Sequence, residues 1–174
     1  MKQVGISPEI PADARVLVLG SFPGRESLRQ QAYYAHPDNL FWQFMEELFG
    51  IRRSLPYRER LRRLNRLGIG LWDVIACCRR RGSLDQDIRR GDLEINDFNT
   101  LFRRHPSVAA VFCNGGLAHS LFERYVVPRL PPSFRAVAVV KLPSTSPANR
   151  YMGYAEKLEA WRRLERVVRG KSQP

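Results

Sequence analysis

The sequence predicts an α/β fold: a three-layer α/β/α domain on a central four-stranded, mainly parallel sheet. Three observations lead there. Four short apolar runs alternate with segments of helical periodicity, a pattern that calls for parallel pairing and right-handed crossovers. Each run is brief and apolar on both faces, as a strand covered by helices on each side must be. Each run also ends in turn or polar residues, so chemistry-bearing loops should gather at the carboxyl edge of the sheet.

The elements follow in order. Residues 16–19 (VLVL) form the first strand, closed by Gly20. A helical pattern opens at Asn39 and runs through Phe41, Phe44, Met45, Leu48 and Phe49 to a Gly50 cap. Residues 57–67 place Leu61, Leu64 and Leu67 on one helical face and five arginines on the other. Residues 69–75 are the second strand and residues 79–87 (RRRGSLDQD) a loop. A short helix over 96–104 starts near Asn96 or Asp97. Residues 108–113 (VAAVFC) form the third strand, broken by Asn114-Gly115-Gly116, and 117–125 the next helix. Residues 136–142 are the fourth strand, 154–168 the last helix, and 170–174 a frayed tail.

A chain of 174 residues with 44% hydrophobic content suits one domain over 1–174, with a core of about 14–168, a short lead and a tail. No long uncharged apolar run is present, which excludes a membrane-spanning helix. The first residues lack an apolar signal core, so a cytoplasmic monomer is expected. The net charge of +12 comes almost wholly from arginine, which grips phosphate with two parallel donors. That balance points to a polyanion partner, although arginine-rich composition alone gives the same charge. Cys77, Cys78 and Cys113 lack disulfide, zinc or iron–sulfur spacing and read as buried thiols. His36, His105 and His119 form no metal-binding set, and no cofactor is expected.

Four segments carry candidate chemistry. Gly20-Ser21-Phe22-Pro23-Gly24 lacks the features of a phosphate loop, but its backbone N–H groups can approach a ligand. Tyr33 and Tyr34 precede the stiff run His36-Pro37-Asp38-Asn39 and can stack on a flat ring. The same residues also read as core aromatics with an Asn cap. Asn39 is the side chain best suited to chemistry, with Asp38 the second candidate for activating water. Asn114 can read a base edge or cap the following helix. Residues 144–150 combine the hydroxyls of Ser144, Thr145 and Ser146 with Pro147, Asn149 and Arg150, a set that can clamp phosphates and wedge into a base stack.

In this order, GSFPG, YYAHPDNLFW, FCNGG and LPSTSPAN resemble the uracil-DNA glycosylase superfamily, over residues 16 to about 154. They are most similar to the hypoxanthine-DNA (deoxyinosine) glycosylase branch. The mismatch-specific uracil branch is similar through the aromatic, Ala-His-Pro, Asn and Phe-Trp run. The resemblance implies a monofunctional DNA glycosylase of base excision repair. It would flip a deaminated base, above all hypoxanthine, out of double-stranded DNA and hydrolyse its glycosidic bond. It implies Asn39 as the catalytic residue; Ser21, Phe22, Tyr34 and Asn114 at the base; and Ser144, Thr145, Ser146, Pro147, Asn149 and Arg150 on DNA. Related branches carry Asn or Asp where this chain has Phe22, which can neither orient nor activate water. Uracil excision from G:U mismatches, and a catalytically silent nucleic-acid-binding module of the same fold, are the alternatives.

Overall fold

The computed structural model describes residues 2–79 and 93–170. The expected loop beyond Arg79, with Arg80 and Arg81, and all but the first residue of the expected tail lie outside them.

The central sheet has four strands, all parallel: β2 (Val16–Gly20), β3 (Ile69–Asp73), β6 (Ala110–Asn114) and β7 (Ala138–Leu142), in the order β3-β2-β6-β7. Alternation along β2 explains why its run reads as uniformly apolar. Val16 and Val18 face one cluster, and Leu17 and Leu19 face the other. The first cluster is closed by α2 (Phe41–Phe49), α3 (Tyr57–Arg66) and α6 (Tyr154–Val168), through Phe41, Phe44, Leu61, Leu64 and Trp161. The second is closed by α4 (Phe98–Arg104) and α5 (Gly116–Leu121), through Phe98, Phe102 and Leu121, with Phe122 just past the end of α5. Three layers therefore stand as the sequence predicts.

Several elements are additions to that reading. Helix α1 (Arg25–Gln30) has one apolar residue, Leu28, and so no stripe to detect. The expected strand over 69–75 divides at Val74. Its first part is β3, while β4 (Ile75–Arg79) joins a small antiparallel sheet with β1 (Lys2–Val4) and β5 (Glu94–Ile95), in the order β1-β4-β5. The expected helix over 117–125 loosens part-way: α5 gives way to a π-helical turn at Phe122–Val126, and a tighter 3-10 turn follows at Val127–Arg129. The N-terminal lead covers the outer edge of β3, where Glu9 and Leu71 exchange backbone hydrogen bonds of 2.9 Å.

Candidate active site

All four parallel strands end on one side, so their last residues form a single rim. Gly20 is in register with Asp73, and Asn114 with Leu142. The expected convergence of loops at the carboxyl edge is therefore met by the strand geometry itself.

Beneath the rim lies a carboxylate that motif reading passed over. Asp73 is 4% exposed, and a side chain at Gly20 would put its Cβ 2.3 Å from Asp73 Oδ1 and 3.8 Å from Tyr34 Oη. Gly20 is thus glycine because the Asp73 carboxylate occupies the space a Cβ would need, with the Tyr34 hydroxyl in ordinary contact beyond it. The sequence signal was there, a charged residue closing a buried strand, but only the Gly20–Asp73 register gives it meaning.

Tyr34 adopts φ +57, a left-handed backbone that a bulky residue rarely takes. Its ring stacks on Phe41 with centroids 4.0 Å apart. Its hydroxyl is buried and makes no hydrogen bond. Burial first, and the Asp73 charge second, push the phenol above its usual pKa, so it stays protonated and can donate. Asn114 lies close enough to oppose that shift, though no hydrogen bond closes between them. Tyr33 is a core residue, its hydroxyl donating to the carbonyls of Ile6 and Ser7 at 3.2 and 3.0 Å.

Asn39 sits two residues before α2, and its Oδ1 accepts the Phe41 N–H at 3.0 Å. The N-cap position itself is Leu40, so Asn39 is not the cap expected of it but holds the first helical N–H from one residue further out. A carbonyl oxygen has a second lone pair, so the same atom can also accept from a water. Asp38 is exposed, its N–H donating to His36 Nδ1 at 3.2 Å.

Asn114 does not cap α5, whose first flanking residue is Gly115. Its amide reaches across to Thr145 instead. Nδ2 donates to Thr145 Oγ1 at 2.8 Å, and Thr145 N–H donates back to Oδ1 at 2.9 Å. The turn comes so close to Ser144 that a Cβ on Gly115, at φ +105, would meet Ser144 Cβ at 3.1 Å.

The 144–150 loop is braced from within. Ser144 Oγ accepts the Ser146 N–H at 3.2 Å, Asn149 Nδ2 donates to the Ser144 carbonyl at 3.2 Å, and Lys157 Nζ donates to the Asn149 carbonyl at 2.6 Å. Burial holds the Lys157 pKa below the ordinary lysine value. Pro147 and Arg150 are exposed, whereas Thr145 is fully buried and faces inward. Just past the loop, Tyr151 projects wholly into solvent beside Met152, a feature the sequence does not announce.

Two of the expected base contacts sit deeper than the motif suggests. Ser21 is buried, and its carbonyl accepts the Ile75 N–H at 3.0 Å. Phe22 is 6% exposed and packs in the second apolar cluster with Leu19, Val74 and Ile75. What this loop can offer a ligand is its backbone.

The uracil DNA glycosylase superfamily model matches residues 7–165. The chain belongs to the uracil DNA glycosylase superfamily. A hypoxanthine DNA glycosylase of Methanosarcina acetivorans is 36% identical over 149 residues, covering 84% of this chain and 87% of the relative. One from Methanosarcina barkeri is 40% identical over 116 residues, covering 66% of this chain and 72% of the relative. A solution NMR structure of a Methanosarcina acetivorans protein, provisionally assigned as a uracil DNA glycosylase, superposes with a TM-score of 0.79. It shares 32% identity, and the match covers 97% of this chain and 99% of that one.

Proposed function

We propose that this chain is a monofunctional DNA glycosylase that removes hypoxanthine from deoxyinosine in duplex DNA, acting as a monomer. The observation that carries this reading is the clustering on one strand rim of a stackable tyrosine, a buried carboxylate and two amides. The two curated relatives bear the name hypoxanthine DNA glycosylase, which supports the choice of base.

The chemistry follows from what each group can do. The glycosidic carbon is closed to water within a duplex, so the nucleotide must first leave the stack, which costs a few kcal/mol. Tyr34 offers a surface worth about 1–3 kcal/mol to the extruded base. Tyr151, exposed beside a braced loop, would fill the gap left behind. Arg150 and the Ser144 and Ser146 hydroxyls would hold the backbone. As the C1′–N9 bond breaks, the base takes the electron pair and the sugar becomes cationic. Asn114 and Tyr34 would donate toward the departing base, and the Asp73 charge would sit near the developing cation. Asn39 Oδ1 would orient a water for attack on C1′ by position rather than by taking its proton, since an amide is a poor base.

The test is abasic-site formation on inosine-, uracil- and undamaged duplexes, with wild type and Asn39→Ala. Hypoxanthine release that depends on Asn39 is the expected result. Release of uracil alone would move the assignment to the mismatch branch, and no release from any duplex would leave a binding module.

A further inference from the structure

Among the described residues two non-glycines take positive φ, Gln31 at +50 and Tyr34 at +57. Gln31 has an ordinary reason: it ends α1, and its N–H closes on the Ser27 carbonyl. Tyr34 has no such helix end, and a bulky side chain is poorly suited to that backbone. Left to itself it would turn back to negative φ and carry its ring off Phe41.

Two peptide groups flank Tyr34, and their orientations together set its φ and ψ. Both are held by side chains. The carbonyl before it, that of Tyr33, accepts the Trp42 indole N–H at 3.0 Å. The N–H after it, that of Ala35, donates to Ser27 Oγ at 3.2 Å. Ser27 is 6% exposed, and its own carbonyl accepts the N–H groups of Gln31 and Ala32. One buried serine thus gathers three N–H groups of the 31–35 segment. The Trp42 side is braced in turn. Arg60 lies over the indole at 4.5 Å, the Tyr57 ring meets it edge-on at 6.0 Å, and Tyr57 Oη accepts the Tyr33 N–H at 3.1 Å. Helices α1, α2 and α3 each send a side chain to this one turn.

We propose that Ser27 is a positioning residue, acting with Trp42 to hold the Tyr34 backbone in its left-handed turn, so that the ring already lies on Phe41 before an extruded base reaches it. This rests on the glycosylase reading above and deepens it. A base that meets a ring needing no rearrangement keeps the full worth of the contact, because no ordering of the platform is subtracted from it. Ser27 therefore acts through Tyr34, from inside the fold.

A double-mutant cycle separates positioning from support of the fold. The measured quantity is the single-turnover rate of hypoxanthine release from an inosine duplex at saturating enzyme, for wild type, Ser27→Ala, Tyr34→Ala and the double variant. Tyr34→Ala should lose roughly five- to hundredfold, the worth of one stacked ring. Ser27→Ala removes only Oγ, and its rate should fall about tenfold, within that bound. In the Tyr34→Ala background no ring is left to place, so Ser27→Ala should then change the rate by less than about twofold. Tyr57→Phe takes one acceptor from the Trp42 side and should show the same dependence on Tyr34 with a smaller loss. If Ser27→Ala does not fold, the Tyr57→Phe cycle decides by the same criterion. Equal fold-losses with and without the Tyr34 ring would overturn the proposal and leave Ser27 a fold residue, and so would full activity of Tyr34→Ala. Absence of hypoxanthine release by the wild type would instead overturn the glycosylase reading. Rates are taken below the melting range of every variant.

Discussion

Asn39 Oδ1 accepts the Phe41 N–H and is also the candidate water-orienting atom, so its loss should be felt twice. Asn39→Ala should lower stability by about 1 kcal/mol through the lost hydrogen bond to the Phe41 N–H. It should lower inosine excision on the order of a hundredfold or more, through a misplaced water. Asn39→Asp keeps that acceptor and should keep the melting temperature. If Asp38→Asn abolishes excision and Asn39→Ala does not, the water belongs to the carboxylate. Tyr34 separates the two quantities in the opposite direction. Its buried hydroxyl makes no hydrogen bond, so Tyr34→Phe should hold or raise the melting temperature while excision falls. Of these residues the sequence made Asn39, Tyr34 and Asn114 legible, because amides and aromatics stand out in stiff polar loops. Asp73 stayed hidden since a lone carboxylate has no motif, only a register with Gly20. The inward turn of Thr145 and the burial of Phe22 were equally hidden, because both depend on what packs against them from distant parts of the chain.

At the scale of elements, α6 owes its place to Trp161, which is fully buried and meets Phe41 and Phe44 at ring distances of 5.9 and 5.8 Å. Its indole N–H donates to the Pro143 carbonyl at 3.0 Å, at the root of the 144–150 loop. Trp161→Ala should cost about 3–5 kcal/mol, read as a shift in the denaturant midpoint. The four parallel strands were legible because burial on both faces writes an unbroken apolar run. The small antiparallel sheet was not. Its β1 and β5 strands, KQV and EI, are too short and polar to show a period. They are ordered by pairing with β4 across long stretches of chain, as in the Lys2–Arg79 register. The break at Val74 was invisible for the same reason. An apolar run does not say which sheet it joins.

Over the whole molecule, much of the positive charge is already engaged. Arg62 and Arg63 pair with Glu59 on α3, and Arg162, Arg166 and Arg169 pair with Glu159 and Glu165 on α6. The net +12 still favours a polyanion. With roughly five phosphate contacts, log affinity for duplex DNA against log salt should slope at about −4 to −5, measured by titration at several ionic strengths. A salt-independent affinity would contradict the electrostatic account. Alkali should also unfold the protein. Burial raises the Tyr33 and Tyr34 phenols above the ordinary tyrosine value of about 10, so the folded state holds those protons more tightly than the unfolded chain. Their contribution is complete below that value and is lost as pH rises through and beyond it. Denaturant midpoints should hold from pH 8 to about 10 and fall above it, less steeply in Tyr34→Phe. The strand order has one more consequence, in time rather than in space. The β2 strand, made early, finds its partners β3 and β6 only after long delays in synthesis. Asn39 waits for about a hundred further residues before Thr145 exists to fasten the segment beside it to Asn114. A nascent chain is thus already basic enough to cling to nucleic acid, yet it has no assembled means of cutting bases from it.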